Sequence, residues 1–467
     1  RERMDRFMPL LLTRLMQEAA PEFTFLRIFP FVQAVAQRSV YLMLLLENPL
    51  ALDQLIHLGT VSPWVMEQLC RYPVLLDELL RPLSQPPGLA ALQDTLQRQL
   101  LRIPESALDE LLGAIQLFKQ EQILTVAAAE LSGTLPLMRV SDALSWIAET
   151  VLQQIMLLAW QQLAGKFGMP VNANGESGQM EFIIIAYGKL GGIELNYGSD
   201  LDLVFMHDAD PDRDTTGGES GLTLSSSAFY VQLGQKILSM LNTHTMTGKL
   251  YEIDMRLRPS GASGALVSNL AAFKQYQEQD AWTWEYQALV RARVVAGSQA
   301  LAGRFASLRT AILGTERDAV KLQQDIVSMR HKMRKQLGSR PEQQQFRLKQ
   351  DAGGLVDIEF IVQYLVLRYG KAHAELLQWP DNMRLLDEAI AAGVLPEKDA
   401  RSLQEIYIEY RTLLHRHALD KQPYVLGPQD YAGQRELVTA VWHRLFAGIE
   451  PGELHKGQKE QTGHSPA

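Results

Sequence analysis

At 467 residues the chain is too long for one hydrophobic core, so two or three domains are expected. Apolar residues make up 46% and charged residues 21%, which excludes a disordered chain, and a formal net charge of −8 argues against a general binder of nucleic acid, which needs a basic face. A single cysteine, Cys70, excludes an internal disulfide and a cysteine metal cluster; it reads as a small buried apolar side chain in a reducing compartment.

The longest unbroken apolar runs, such as 40–46, fall far short of the roughly 20 residues that span a bilayer. Glu2, Asp5, Pro9 and Arg14 do not suit a secretory signal. The chain reads as cytoplasmic, and its first residue, Arg1, leads us to expect a piece of something longer.

In chain order, the first 135 residues read as a helical region. Leu10, Leu11, Leu15 and Met16 recur at helical spacing, as do Leu75, Leu76, Leu79 and Leu80. The Pro- and Gly-bearing segment 81–88 breaks that pattern, a second helical stretch covers 106–131, and Gly133 with Pro136 ends it. Ser141 is placed to cap a helix running to Trp160. Near 181 the pattern changes. Phe182-Ile-Ile-Ile-Ala-Tyr187 is a short β-branched apolar run closed by Gly188, the mark of a buried strand. Leu201-Asp-Leu-Val-Phe205 predicts a second strand, and the alternating 250–257 a third. Between them, Asp208, Asp210, Asp212, Asp214 and Glu219 among Gly and Thr predict a solvated loop, and 228–241 a helix. The helical period returns from 270 to 447, with breaks near 338–341, 353–354 and 427–428, and the polar tail reads as disordered. The expected fold class is α+β, predominantly helical: a helical region 1–135, a mixed-sheet domain 136–268, a helical bundle 269–450 and a tail 451–467.

Chemistry concentrates in Tyr187-Gly-Lys-Leu-Gly-Gly-Ile-Glu-Leu-Asn-Tyr-Gly-Ser-Asp-Leu-Asp-Leu-Val-Phe205. Asp200 and Asp202 are two apart in a strand pattern and so share one face, with Leu201 and Leu203 turned to the core. Two adjacent carboxylates repel unless a cation lies between them, and Mg²⁺ is the hard cation suited to carboxylates and nucleotide phosphate. Gly191 and Gly192 ahead of them let backbone N–H groups approach phosphate, and Ser199 can add a hydroxyl. Gly-Gly alone reads equally as a turn and Asp-x-Asp alone as solvated acids; their order and spacing carry the signal. In 250–257 and just beyond, Glu252, Asp254, Arg256 and Arg258 share one parity, offering a third metal carboxylate and two guanidinium groups for phosphate. For the arginines the alternative is a cross-strand salt bridge to these acids.

The glycine pair, Ser199-Asp-Leu-Asp202 and Asp254 resemble the nucleotidyltransferase fold of the DNA polymerase β superfamily. Gly188-Lys-Leu-Gly-Gly192, Glu194-Leu-Asn196, Tyr251-Glu-Ile-Asp-Met-Arg-Leu-Arg-Pro-Ser-Gly261 and Gly353-Gly-Leu-Val-Asp-Ile-Glu-Phe360 resemble glutamine synthetase adenylyltransferases, over nearly the whole chain up to the tail. Full-length members carry two nucleotidyltransferase units in tandem. Gly-Ser-Asp-x-Asp occurs once here, and 71–80, 282–293 and His207-Asp208 resemble the second, adenylylating half. The resemblance implies a polymerase β-type sheet flanked by helical domains, and transfer of AMP from ATP to a tyrosine of glutamine synthetase. It implies two Mg²⁺ ions at Asp200, Asp202 and Asp254, and regulation by glutamine and a PII signalling protein. Gly188, Lys189, Gly191, Gly192, Ser199, Arg256 and Arg258 would bind nucleotide. Asp357 and Glu359 either complement a helix dipole or reach the nucleotide or its metals. The basic run Arg330, Lys332, Arg334, Lys335 and Arg340 is a solvated helix face or a docking surface for an acidic partner. Trp282 and Trp284 read as packing residues, and His415 and His417 lack metal-ligand spacing.

Overall fold

A computed structural model describes residues 2–80, 85–171, 177, 179–210, 213–219, 221–243, 248–340, 344–421 and 426–452. The tail expected to be disordered lies, from 453 onward, outside the described residues.

Helices dominate, and five strands among the described residues form one mixed sheet: β1 (Phe182–Ala186), β2 (Leu201–His207), β3 (Ile253–Asp254), β4 (Val267–Asn269) and β5 (Arg293–Gly297). β1 runs antiparallel to β2 on one side and to β5 on the other. β3 and β4 both pair in parallel with β2, β3 at its start and β4 at its end. β5 lies past residue 268, so the sheet draws on the segment expected to be purely helical.

The apolar alternation of β1 and β2 explains why the sheet lies between two cores. Phe182, Ile184 and Ala186 of β1, with Leu201, Leu203 and Phe205 of β2, join the core of the N-terminal helices and of the helices Leu137–Phe167 and Ser226–Asn242. Ile183, Ile185 and Tyr187, with Val204 and Met206, join the core of the C-terminal helices. Phe182, Ile183, Ile184 and Ile185 are fully buried, and each contributes roughly 1.5–3 kcal/mol by leaving water. Asp202 continues the row of Val204 and Met206, on the face of β2 turned to the C-terminal helices, and the exposed Asp200 precedes the strand.

Several local expectations change. Helix Leu137–Phe167 starts after Pro136, whose fixed φ suits a helix entry, and Ser141 lies buried inside it, its Oγ accepting from Arg411 Nη2 at 2.7 Å. This 31-residue helix is long and apolar enough to cross a membrane, but 78% of its most apolar stretch is buried inside the protein, as befits a core helix. The third strand is cut to two residues. Asp254 Oδ1 accepts from the backbone N–H of Arg256 at 2.8 Å, which turns the chain, and Leu257 ends in the C-terminal core rather than beside Ile253 and Met255. The acidic loop after β2 is only partly solvated: Thr215 is buried, its hydroxyl donating to the Phe167 carbonyl at 2.6 Å. Cys70 is half-buried against the N-terminal core.

Candidate active site

β2 and β3 bring the expected carboxylates to one end of the sheet, where Asp202 is the register partner of Asp254. Asp200 is exposed and Asp202 half-buried. Burial, reinforced by the charges of Asp200 and Asp254, pushes the Asp202 carboxyl up to about 6. Its Oδ2 lies against the Cα of Gly188, which has φ +56, and any Cβ there would collide with it. Gly188 is thus required twice over, by its left-handed backbone and by the carboxylate above it. Asp254 is held by Arg256, whose Nε donates to both carboxylate oxygens at 3.0 and 2.9 Å; that hydrogen bonding keeps its carboxyl below the usual range. Among the described residues, no three acidic, His or Cys side chains are gathered closely enough to hold a metal ion as they stand.

Lys189 follows Gly188, its Nζ donating to Ser199 Oγ at 3.2 Å. Burial and the neighbouring Lys349 lower its pKa, against the opposing pull of Asp200, Glu359 and Asp202. Lys189 and Ser199 therefore sit together within the field of Asp200 and Asp202. Gly191 and Gly192 have different work. Their N–H groups donate to the carbonyls of Tyr187 (3.0 Å) and Gly188 (3.1 Å), closing the short helical turn Gly188–Gly191, so in this arrangement they are not offered to a phosphate. Their missing side chains make room for an arginine: a Cβ on Gly191 would strike the Arg291 carbonyl, and one on Gly192 would lie 2.6 Å from Arg291 Nη2. Arg293 grips the same turn, donating to the carbonyls of Leu190 (3.1 Å) and Gly191 (3.3 Å) and to Glu149 (2.6 Å).

The other expected phosphate and nucleotide contacts divide. Arg256 forms a salt bridge within its own segment, to Asp254 two residues back, and not the cross-strand one that was its alternative; its own side chain is 80% exposed. Arg258 is committed to the backbone, donating to the carbonyls of Met255, Ala262 and Gly264 at 3.1–3.3 Å, so it shapes the turn after β3 instead of facing a phosphate. Asp357 is 2% exposed and accepts from Arg330 Nε (2.6 Å) and the Gly353 N–H (2.7 Å), which makes it an internal ion pair away from solvent. Arg330, itself 1% exposed, is thereby removed from the basic run, while Lys332 and Lys335 stay exposed. Glu359, two residues on, points the other way and accepts from Arg291 Nη1 at 2.8 Å. A cavity of about 640 Å³ lies elsewhere, between the helices Leu270–Gln279 and Ala319–Leu337, and holds none of these residues.

Sequence reasoning passed over the residue at the centre of this region. Glu194 is 2% exposed and takes bonds from Arg291 Nη2, the Asn382 backbone N–H (3.2 Å) and side chain, and the Tyr407 hydroxyl (2.6 Å). Burial opposes its charge, but Arg291 and Arg411 outweigh it and hold the carboxyl low. Arg411 also donates to the Glu194 carbonyl at 2.9 Å. No periodicity marks a lone glutamate after Gly-Gly as a buried hub. The β-branched run Arg293-Val-Val-Ala-Gly297 was the available signal for β5 and its arginines.

Residues 52–308 match the family model described as glutamate-ammonia ligase adenylyltransferase, and residues 327–441 match that of GlnD PII-uridylyltransferase. The chain is 46% identical over 458 residues to the bifunctional glutamine synthetase adenylyltransferase/adenylyl-removing enzyme of Pseudomonas putida, covering 95% of this chain and 47% of that protein. Its namesakes in Pseudomonas syringae and Thioalkalivibrio sulfidiphilus are each 47% identical, over 95% and 96% of this chain and 46% of their own length. The chain thus spans about half the length of the curated relatives it matches. A family model covering more than half of the 467 residues, with the carboxylate-bearing sheet inside it, identifies the chain as a member of the glutamate-ammonia ligase adenylyltransferase family.

Proposed function

We propose that this chain transfers AMP from ATP to a tyrosine hydroxyl of glutamine synthetase, using Asp200, Asp202 and Asp254 to hold Mg²⁺. The observation that carries the reading is the pairing of Asp202 with Asp254 across β2 and β3, with Asp200 two residues before Asp202: a half-buried carboxylate beside two others is pushed up in pKa and is relieved by a divalent cation. The donor set is all oxygen, which suits Mg²⁺, and two ions would be shared among the three acids. When bound, the metal supplies charge neutralisation and a lower pKa for the attacking hydroxyl. Arg256 leaves Asp254 to meet the triphosphate, a move open to an exposed side chain. Lys189 and Ser199 orient the phosphates. Asp254 then accepts the tyrosine proton as the hydroxyl oxygen attacks the α-phosphorus and pyrophosphate leaves.

The names of the relatives support glutamine synthetase as the target. Control by glutamine and a PII protein accompanies that reading, as does a cytoplasmic location. A nucleotidyltransferase acting on RNA would want a basic groove, which a net charge of −8 disfavours, and a regulatory module without catalysis would not need all three carboxylates. The test is pyrophosphate release from MgATP by the purified chain. We expect release that requires added glutamine synthetase; release that is unaffected by glutamine synthetase but stimulated by RNA would replace this reading.

A further inference from the structure

Arg291 lies between the helix Thr283–Val290 and β5, so its backbone is fixed to the sheet. Its side chain is 6% exposed. One arm of the guanidinium binds Glu194, in the loop that carries Lys189; the other binds Glu359, on the helix Leu355–Tyr369 of the C-terminal bundle. Burial works against the charge, but the two glutamates outweigh it and hold the group firmly protonated. A planar guanidinium can serve two carboxylates at once, whereas an ammonium of shorter reach cannot keep both geometries. From Glu194 the connection runs on through the backbone, because the Glu194 N–H donates to the Lys189 carbonyl at 2.8 Å. Gly191 and Gly192 are glycines so that Arg291 can lie this close. Glu359 gives one oxygen to Arg291 and is also felt by Lys189.

We propose that Arg291 is a positioning residue for nucleotide binding. By bridging Glu194 and Glu359 it joins Asn382 and Tyr407, which bind Glu194 directly, in tying the 188–194 turn to the C-terminal bundle, and it sets Lys189 beside the carboxylates. Glu359 then works through Arg291 and not as a direct contact of nucleotide or metal. The inference rests on reading Asp200, Asp202 and Asp254 as the nucleotide site.

The two roles for Glu359 separate by substitution. A glutamine keeps a carbonyl oxygen for Arg291 Nη1 but loses the charge a metal or Lys189 would feel; an alanine loses both. MgATP affinity is measured by calorimetric titration of the full chain, with circular dichroism as the check on folding. We expect Glu359→Gln to bind within about threefold of wild type and Glu359→Ala about tenfold or more weakly, with Arg291→Lys at least as weak as Glu359→Ala. Glu359→Gln as weak as Glu359→Ala overturns the positioning role, and so do Glu359→Ala and Arg291→Lys if both bind normally. Should Arg291→Lys fail to fold, the glutamate pair still decides. Asp202→Asn, assayed for AMP transfer in parallel, reports on the underlying site separately: undiminished transfer there removes the site itself, whatever the glutamate variants do.

Discussion

Asp202 on β2 is the register partner of Asp254 on β3, so a parallel pairing of only two residues brings carboxylates from distant parts of the chain to one end of the sheet. Asp200 lies just before β2 on the same parity, so all three acids stand at one end of the sheet, although not close enough to hold a metal ion as they stand. The proposed chemistry depends on this pairing.

The first prediction follows from it. Asp200→Asn, Asp202→Asn and Asp254→Asn should each lower AMP transfer by about a hundredfold or more, since loss of a metal ligand removes several kcal/mol of transition-state stabilisation. None is a core contact, so the thermal midpoint should stay near that of wild type. A variant retaining near-wild-type rate at ordinary Mg²⁺ would take its residue out of the site.

Gly188→Ala should be costly in two ways. The backbone there has φ +56, which costs an L-residue roughly 1–2 kcal/mol, and the new methyl would displace the Asp202 carboxylate. We expect both a lower unfolding midpoint and loss of transfer. Loss of stability with full activity would show that Asp202 can move without consequence. Gly192→Val should act through Arg291, weakening ATP binding together with stability, because its side chain would press on the guanidinium.

Lys119 offers a test at high pH. Its ammonium donates to the Leu250 carbonyl and lies 4.4 Å from the Tyr251 ring, but burial still lowers its pKa from 10.5 to about 8. Between those values the unfolded chain binds more protons than the folded one, so this lysine makes stability rise with pH through that window. The full effect has an upper bound of roughly 3–4 kcal/mol, at about 1.4 kcal/mol for each tenfold change in proton affinity. Urea unfolding near pH ~7.5 and ~10 should therefore show wild type gaining on Lys119→Met as pH rises. An unchanged difference between the two proteins would mean that Lys119 is not buried as described.

A fourth prediction concerns direction. If the chain is built to hold pyrophosphate beside AMP, its reverse reaction on adenylylated glutamine synthetase should consume pyrophosphate and yield ATP slowly, because the same groups stabilise the transition state both ways. With phosphate in place of pyrophosphate, little ADP should form. Chromatography of products from AMP-labelled target distinguishes the two, and rapid ADP formation would assign the chain to the opposite reaction.

The legible part of this fold was the part governed by periodicity. β1 and β2 announce themselves through β-branched runs, and Asp200 and Asp202 through their parity on β2. Gly188 was legible as the end of a strand, although its contact with Asp202 was not. Arg258 shares the parity of Asp254 and so offers a guanidinium to phosphate, and Asp357 after Gly353-Gly354 suits a helix dipole or, by the resemblance, the nucleotide or its metals. Carbonyls of a tight turn claim the first and Arg330 the second, and neither partner follows from local spacing. Glu194 went unassigned for the same reason: its partners Arg291, Asn382 and Tyr407 come from three later segments. Ser141 suits a helix cap by residue type, yet the helix starts earlier, after Pro136, and the Ser141 hydroxyl is taken up inside it by Arg411, far along the chain.

The most direct test of the account is transfer of label from α-phosphate-labelled ATP to glutamine synthetase by the purified chain with Mg²⁺, run beside Asp202→Asn. The account predicts label on a tyrosine of glutamine synthetase, pyrophosphate in equal amount, and neither product from the variant. Absence of label with the folded wild-type chain, or equal labelling by Asp202→Asn, would contradict it.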